Sequence, residues 1–198
     1  MPSAELKIVG KSVPIHDVTQ KVTGSVRYVG DLKLHGMLHA KLLLSDIAHG
    51  RIQRIDTAAA AALPGVVAIF TYADAPGNAY NSHKWLEGLE VVKDETLFTD
   101  HVRFHGDRIG AVVAETKEIA ERAVRLITVV YEELPVVLNP EAALSADSEP
   151  IHAAGNRLYH KRIACGDAAA RLAEAHLVVE DRIETPKVHH AAMETHGC

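Results

Sequence analysis

The sequence predicts an α+β fold. Apolar segments of strand length lie between turn residues, three further segments have the composition or spacing of helices, and no internal repeat is present. A length of 198 residues is sufficient for one domain and part of a second, at about 100–200 residues per domain. The prediction is therefore one mixed domain followed by additional structure.

Strands and one helix are predicted in the first 71 residues, after an extended segment at Val13-Pro14-Ile15. Asp56 is a suitable N-cap for a helix over Thr57–Ala62, and Leu63-Pro64-Gly65 ends it, which gives a strand–helix–strand unit from Ile52 to Thr71. The last strand is β-branched and apolar, so we expect it to be buried. The predicted strands are Ser25–Val29, Met37–Leu44, Ile52–Ile55 and Val66–Thr71.

The middle of the chain predicts a loop, a hairpin and a second helix. Ala73–Thr99 lacks periodicity, and its part Asn78–Glu95, with Tyr80 and Trp85, is expected to be mobile or to contact a partner. His101–His105 and Ile109–Glu115 predict a tight hairpin around Gly106-Asp107-Arg108. Thr116 is a suitable cap for a helix over Lys117–Ile127, whose apolar face should pack on the sheet before a strand at Thr128–Tyr131.

The remaining third of the chain predicts a connector, a short helix and an unpartnered strand. Val136–Gly166 is rich in loop residues, and Asp167 can cap a helix over Ala168–Ala175. Leu177–Glu184 alternates as a strand with Leu177, Val179 and Ile183 on one face. Without a partner strand, the tail should be protease-sensitive beyond about Ala164, or should pair two chains as a homodimer.

Composition excludes several function classes. The net charge is −5 and the pI is about 6.2, so the chain lacks the basic surface of a nucleic-acid-binding protein. No apolar run has the length of a membrane span. Two cysteines cannot form a disulfide framework or hold an iron–sulfur cluster. We therefore expect a soluble protein of a reducing compartment, the cytoplasm.

Candidate site residues are present without a convincing site. His189, His190, His196 and Cys198 are zinc-type ligands, but they lie within ten residues, so packing against other protein is the favoured interpretation. His101 and His105 share a face of a predicted strand, and the His-Gly pairs, such as His49-Gly50, suit turns. Cys165 has no partnered histidine in view, and Glu132-Glu133 is interpreted as a solvated pair. Dinucleotide, P-loop and nucleophile-elbow motifs are absent. No catalytic, cofactor-binding or metal-binding residue is therefore assigned.

A series of short segments, in order, nevertheless resembles a known family. They are Lys21-Val22-Thr23-Gly24 with Tyr28 and Asp31, Gly36-Met37-Leu38-His39-Ala40, Ser45-Asp46-Ile47-Ala48-His49, Ile55-Asp56, Leu63-Pro64-Gly65-Val66 with Phe70-Thr71 and Asp74, Val102-Arg103-Phe104-His105-Gly106-Asp107, Val112-Val113-Ala114-Glu115-Thr116 and Val130-Tyr131-Glu132-Glu133-Leu134-Pro135. Together they resemble the N-terminal hammerhead domain of the molybdenum-binding subunit in the xanthine dehydrogenase and aldehyde oxidase family. Pro150-Ile151-His152, Gly166-Asp167 and His190-Ala191-Ala192-Met193-Glu194 resemble that family's entrance to its molybdopterin-binding domain.

The resemblance implies a hammerhead-type mixed sheet with two helices packed on it, and the start of a second β-rich domain. The implied divisions are an N-terminal segment at 1–20, the hammerhead domain at 21–135, a connector at 136–166 and a truncated molybdopterin-binding domain at 167–198. The whole enzyme would hydroxylate purines, other N-heterocycles or aldehydes at molybdopterin, beside iron–sulfur and flavin subunits or domains. This chain would be a structural fragment without cofactor or catalysis. The alternative is a free-standing adaptor that uses the domain for interaction.

Overall fold

The computed structural model describes residues 6–82, 93–157 and 160–192. The chain divides into two compact units, one formed by Gly36–Val178 and the other by Met1–His35 with Val179–Cys198. In the second unit, the described part holds helix α1, Val18–Thr23, and one turn of 3₁₀ helix, Val29–Asp31. The strands in the described part all lie in the unit Gly36–Val178, so the predicted α+β fold is confirmed there.

Two antiparallel sheets of three strands each are seen in the described ranges of this unit. The first has the order β1-β5-β3 and the second β4-β2-β6. The predicted strand–helix–strand unit is present, but its two strands, β2 and β3, lie in different sheets. The elements are β1 His39–Leu44, β2 Gly50–Asp56, α2 Ala58–Ala61, β3 Val66–Thr71, β4 His101–Val102, β5 Arg108–Ala114, α3 Lys117–Leu126, β6 Thr128–Glu133, α4 Pro140–Ala143 and α5 Ala168–Glu174.

The core joins the two sheets and then extends beneath the helices. Leu43 and Ile109 from the first sheet pack with Ile52 and Val102 from the second. The other cluster lies where both helices meet the first sheet, and its buried members are Ala60, Val112 and Ala123. Small side chains allow the helix backbones to approach the strand closely, which explains the alanine content of both helices.

Helix α3 begins and packs as its sequence predicts. Thr116 Oγ1 accepts a hydrogen bond from the Ile119 amide at 3.3 Å, so the predicted cap is confirmed. Ala120 and Ala123 are buried, whereas Arg122 on the opposite side is exposed. The cap of α2 differs slightly, because Thr57 is its N-cap while the Asp56 carboxylate accepts from the Ala58 amide.

Replacing Ala123 with leucine is expected to destabilise the chain by about 1–3 kcal/mol, the usual cost of overpacking a filled core. Ala123 is fully buried against Val112 and Ala60, so the added atoms require the helix to move away from the sheet. Chemical denaturation measures the loss, with Arg122→Leu as the control on the exposed side. Equal stabilities of both variants and the parent would place Ala123 outside the core.

The predicted hairpin at residues 101–115 is wrong. Strand β4 pairs with β2 of the second sheet, whereas β5 pairs with β1 and β3 of the first. The turn between them is bound by other elements: the Asp107 carboxylate accepts from the Arg103 amide, and Ser45 Oγ accepts from the Gly106 and Asp107 amides. These bonds turn the chain from one sheet into the other. Gly106 does take a positive φ of 90°, as expected.

Two other predicted strands are absent. Ser25–Val29 is irregular and runs into the 3₁₀ turn, where the Asp31 carboxylate accepts from the Tyr28 amide. Leu177–Glu184 has no regular secondary structure and no strand pairing with the described residues, and Val179 and Ile183 are 80% and 86% exposed. Alternation predicts a strand only where a partner can complete the ladder, and the described residues provide none. Helix α5 with its Asp167 cap is confirmed, and all of its residues are exposed.

One further expectation needs adjustment, while the mobility or partner contact expected of Asn78–Glu95 stays a prediction. Val66–Thr71 is a strand with the predicted bounds, but it is an edge strand and only partly buried. In the loop Ala73–Thr99, Tyr80 and Glu95 form an antiparallel bridge, while Trp85 lies outside the described residues.

Within the ranges that are described, no helix has the length and hydropathy to cross a membrane.

Candidate functional site

Two histidines that are distant in sequence face each other at the edge of the second sheet. His49 precedes β2 and is only 3% exposed, and His101 opens β4. Their Nε2 atoms are 3.2 Å apart, and the ring planes differ by 25°. His49 Nδ1 lies 2.7 Å from the backbone oxygen of Pro135. His49 therefore joins β4 to the segment that follows β6.

This geometry fixes the tautomer of each neutral ring. A carbonyl oxygen can only accept, so Nδ1 of His49 carries the proton and donates it to Pro135. Nε2 of His49 is then an acceptor, and Nε2 of His101 must be the donor between the rings. With both rings in the neutral form, each of the contacting nitrogen atoms has a defined role.

Gly50 allows His49 to reach this position. A Cβ atom at residue 50 would lie 2.7 Å from the Glu132 carbonyl oxygen and 2.5 Å from the Ile47 side chain. The absent side chain lets the start of β2 approach the end of β6, where the Leu134 amide donates to the His49 carbonyl at 3.0 Å. The sequence pair His-Gly thus serves strand packing here, rather than the turn that it predicts.

The environment of His101 disfavours its protonated form. Burial is the first cause that lowers its pKa to about 4, followed by the positive charges of Arg103 and Arg51 and by His49, while Asp100 acts in the opposite direction. His101 therefore stays neutral at physiological pH. The neutral His101 ring donates a hydrogen bond to His49.

The chain is expected to lose stability as the pH falls from 6.5 toward about 4. In this window the unfolded chain binds a proton at residue 101 and the folded chain does not, so acid favours unfolding. His101→Gln should remove that part of the pH dependence, whereas exposed His105→Gln should keep it. Thermal melts of the three proteins across the window measure the difference. Parallel curves for the parent and His101→Gln would contradict the assigned shift.

An open cleft lies beside His101. Its volume is about 360 Å³, and its wall combines the charged residues Lys93, Asp94, Asp100 and Arg103 with apolar residues such as Phe98. Positive and negative side chains are present in equal number, so the cleft does not select an anion or a cation by charge. Among the described residues no group of three or more histidine, cysteine, aspartate or glutamate side chains is placed to hold a metal ion.

The wall of the cleft also contacts the segment near residue 151. Arg103 Nε donates to the Ile151 carbonyl at 3.4 Å, and Asp94 Oδ2 lies 3.5 Å from His152 Nε2. Asn156 then closes this segment on itself, because its Oδ1 accepts from the Ile151 amide and its Nδ2 donates to the Glu149 carbonyl. The site is therefore a junction, at which β4 and its neighbours hold the chain at residues 135 and 151–152.

The sequence also singled out the tail histidines and Cys165, and these residues lie elsewhere. His189 and His190 stack on each other with ring centroids 5.3 Å apart, while His196 and Cys198 lie outside the described residues. Cys165 is exposed and lines a shallow depression with α5. Sequence reasoning missed the pairing of His49 with His101, because 52 positions separate them and only the sheet pairing brings them together.

Comparison with known proteins gives two family models and a set of relatives. Residues 23–135 match the aldehyde oxidase and xanthine dehydrogenase a/b hammerhead domain, and residues 151–198 match the molybdopterin cofactor-binding domain. The chain is 40% identical over 183 residues to a xanthine dehydrogenase molybdenum-binding subunit from Escherichia coli O157:H7, covering 90% of this chain and 24% of the relative. It is 35% identical over 192 residues to a carbon monoxide dehydrogenase large chain from Hydrogenophaga pseudoflava, covering 89% and 24%.

Solved structures agree in fold. Quinoline 2-oxidoreductase from Pseudomonas putida 86 is similar with a TM-score of 0.62 and 38% identity, covering 76% of this chain and 20% of that one. The aldehyde oxidoreductase from Desulfovibrio gigas is similar with a TM-score of 0.64 and 30% identity, covering 71% and 16%. The chain spans about a quarter of the length of the two curated relatives described above.

Proposed function

Because the chain belongs to the aldehyde oxidase and xanthine dehydrogenase family, we propose that it is a structural, non-catalytic part of the molybdenum-binding subunit of a hydroxylase. The observation that carries this proposal is the junction at residues 135 and 151–152. The first model match ends at residue 135 and the second begins at residue 151. His49 and Arg103 bind the chain at these two positions, so the hammerhead part fixes where the cofactor-binding part starts.

We propose a domain division whose boundary at residue 135 coincides with the end of the first model match, whereas the second model match begins inside the proposed connector, at residue 151. Residues 21–135 form the hammerhead domain, 136–166 the connector and 167–198 the start of the molybdopterin-binding domain, after an N-terminal segment at 1–20. The short helix α4 lies in the connector, capped by Asn139 Oδ1, which accepts from the Glu141 and Ala142 amides. Asn156 and the Arg103 contact bind this connector at Ile151.

Molybdopterin is the cofactor of the full-length family, and its chemistry there is hydroxylation. The described residues of this chain do not fit the cofactor by themselves. In the region that matches the cofactor-binding model, every described residue from 160 to 192 is exposed, so no side chain is buried around a ligand. No catalytic step is derived from these residues, and we propose that the remaining part of the subunit supplies the cofactor contacts.

The whole enzyme, in this proposal, hydroxylates a purine, another N-heterocycle or an aldehyde. The names of the relatives include xanthine dehydrogenase, nicotinate dehydrogenase and aldehyde oxidoreductase, which supports this range of substrates. Iron–sulfur and flavin subunits or domains would be the electron-transfer partners, in the cytoplasm. The similarity to a xanthine dehydrogenase favours a purine over the other substrate classes. This choice rests on family analogy and not on an observed binding site.

Two proteins test the proposal when both are produced in cells that make molybdopterin. One is the chain alone, and the other is a chimera in which the chain replaces the matching quarter of the curated Escherichia coli relative. The chain alone is expected to contain no molybdopterin, and the chimera is expected to contain it and to hydroxylate xanthine. Stoichiometric molybdenum in the chain alone would overturn a purely structural role. A folded chimera without molybdopterin would favour the alternative of a free-standing adaptor.

A further inference from the structure

The two faces of the first sheet differ in what covers them. Helices α2 and α3 pack on the face that carries Val112 and Ile69. Because side chains alternate along a strand, the neighbouring positions point to the opposite, outer face. The pairing register aligns these positions in two rows across the three strands. The rows are Ala40–Val113–Ala68 and Leu42–Ala111–Phe70.

This outer face is apolar, and its large side chains on the two flanking strands are exposed, whereas Ala111 between them is 8% exposed. Leu42 is 45% exposed and Phe70 is 44% exposed, and Leu44, two residues beyond Leu42 on β1, is 48% exposed. The two rows contain no polar or charged side chain. Leu42 and Phe70 flank Ala111 in one row, so the exposed apolar side chains form one continuous surface and are not scattered singly.

The second sheet of the same unit provides an internal comparison. Its cross-strand pairs on the solvent side are Arg51–Glu132, Arg54–Val130 and Asp56–Thr128. Five of these six side chains are polar or charged, as expected for a sheet with one wet face. The apolar character of the first sheet's outer face is therefore not a general property of the strands in this chain.

We propose that this outer face docks a further domain of the same polypeptide, an apolar surface in the remaining part of the molybdenum-binding subunit. The inference rests on the proposed function. About three quarters of the length of the two curated relatives has no counterpart in these 198 residues, so ample chain exists there to cover the face. The absence of charge in the two rows fits an apolar protein surface and does not fit nucleic acid or a charged ligand.

The size of the face favours a covalently linked domain over a second copy. Strands about 4.8 Å apart that rise about 3.3 Å per residue give the two rows an area of roughly 200 Å². A stable complex between separate proteins needs about 800 Å² from each partner. A domain on the same chain needs less, because the linkage raises its effective concentration at the face.

Hydroxyl-radical footprinting of the chain alone and of the chimera tests the inference. Labelling of Leu42 and Phe70 is expected to be strong in the chain alone and severalfold weaker in the chimera. Val130, which is 39% exposed on the second sheet, is the matched control and should be labelled equally in both. Equal labelling of Phe70 in both proteins would overturn the inference. Protection in the chain alone that grows with concentration would do so too, because a second copy would then cover the face.

A pair of variants gives an independent measurement. Phe70→Ser is expected to leave the melting temperature of the chain alone nearly unchanged and to lower that of the chimera, while Val130→Ser changes neither. An equal effect of Phe70→Ser in both proteins would contradict docking. Molybdopterin content separates the two proposals: a loaded chimera with a labelled Phe70 rejects the docking face only, and an unloaded chimera with a protected Phe70 rejects the proposed function only.

Discussion

Alanine in place of Gly110 is expected to lower the free energy of unfolding by about 3 kcal/mol, at the upper end of the usual cost of overpacking. Gly110 lies in β5, the central strand of the first sheet. An added Cβ would lie 2.6 Å from the Phe70 carbonyl oxygen, a backbone atom held by the strand pairing. The neighbouring strand must therefore move away from β5, which weakens its ladder of hydrogen bonds.

Gly77→Ala is the matched control for this variant. A Cβ at residue 77 meets no atom within 4 Å, and the backbone there does not have a positive φ. That substitution should be neutral or slightly stabilising, because alanine reduces the freedom of the unfolded chain. Urea denaturation at a constant m-value compares the two variants. Similar midpoints for Gly110→Ala and the parent would show that β3 and β5 do not approach each other this closely.

Truncating Ile109 to alanine is expected to cost about 2–5 kcal/mol, the range for large-to-small changes in a core. Ile109 is fully buried and packs in the cluster that contains Leu43, Ile52 and Val102. These partners come from both sheets, so the isoleucine is part of what holds the sheets together. The cavity left by the variant would lie at the contact between them.

Leu138→Ala is the control for Ile109→Ala, because Leu138 is 88% exposed and belongs to the same unit. Its replacement should change stability by only a few tenths of a kcal/mol, at most about 0.5. Hydrogen exchange gives a second measurement. Amides of both β2 and β5 should lose protection in Ile109→Ala, and a loss confined to one sheet would contradict the bridging role of this side chain.

Local chemistry was sufficient to predict most of the elements. The β-branched run Val66–Thr71 and the helix beginning after Thr116 have the bounds or caps that the sequence predicts. Asp167 likewise caps α5. In each case the signal lies within a few residues, as a cap, a turn residue or an apolar period, so no distant contact is needed to decide it. The family resemblance also came from short motifs in order, and the model matches at 23–135 and 151–198 agree with it.

Pairing between distant segments was decided only by the tertiary structure. The sequence around Gly106 predicts a hairpin, but Ser45 binds the turn and directs β4 and β5 into different sheets. Alternation would place Ile109 beside Ala111 on the outer face. Because the register shifts between Leu43 and Leu44, Ile109 instead packs in the core.

The candidate site depends on such distant contacts as well. His49 contacts His101, 52 positions away, and Pro135, 86 positions away. Gly50 allows these contacts because it has no side chain. This steric requirement cannot be read from the neighbouring sequence. The sequence by itself thus determined most of the elements and the family to which the chain is similar. The tertiary structure alone decided which strands pair, which histidines meet and which face of a sheet stays open, because each of these depends on contacts between residues far apart in the chain.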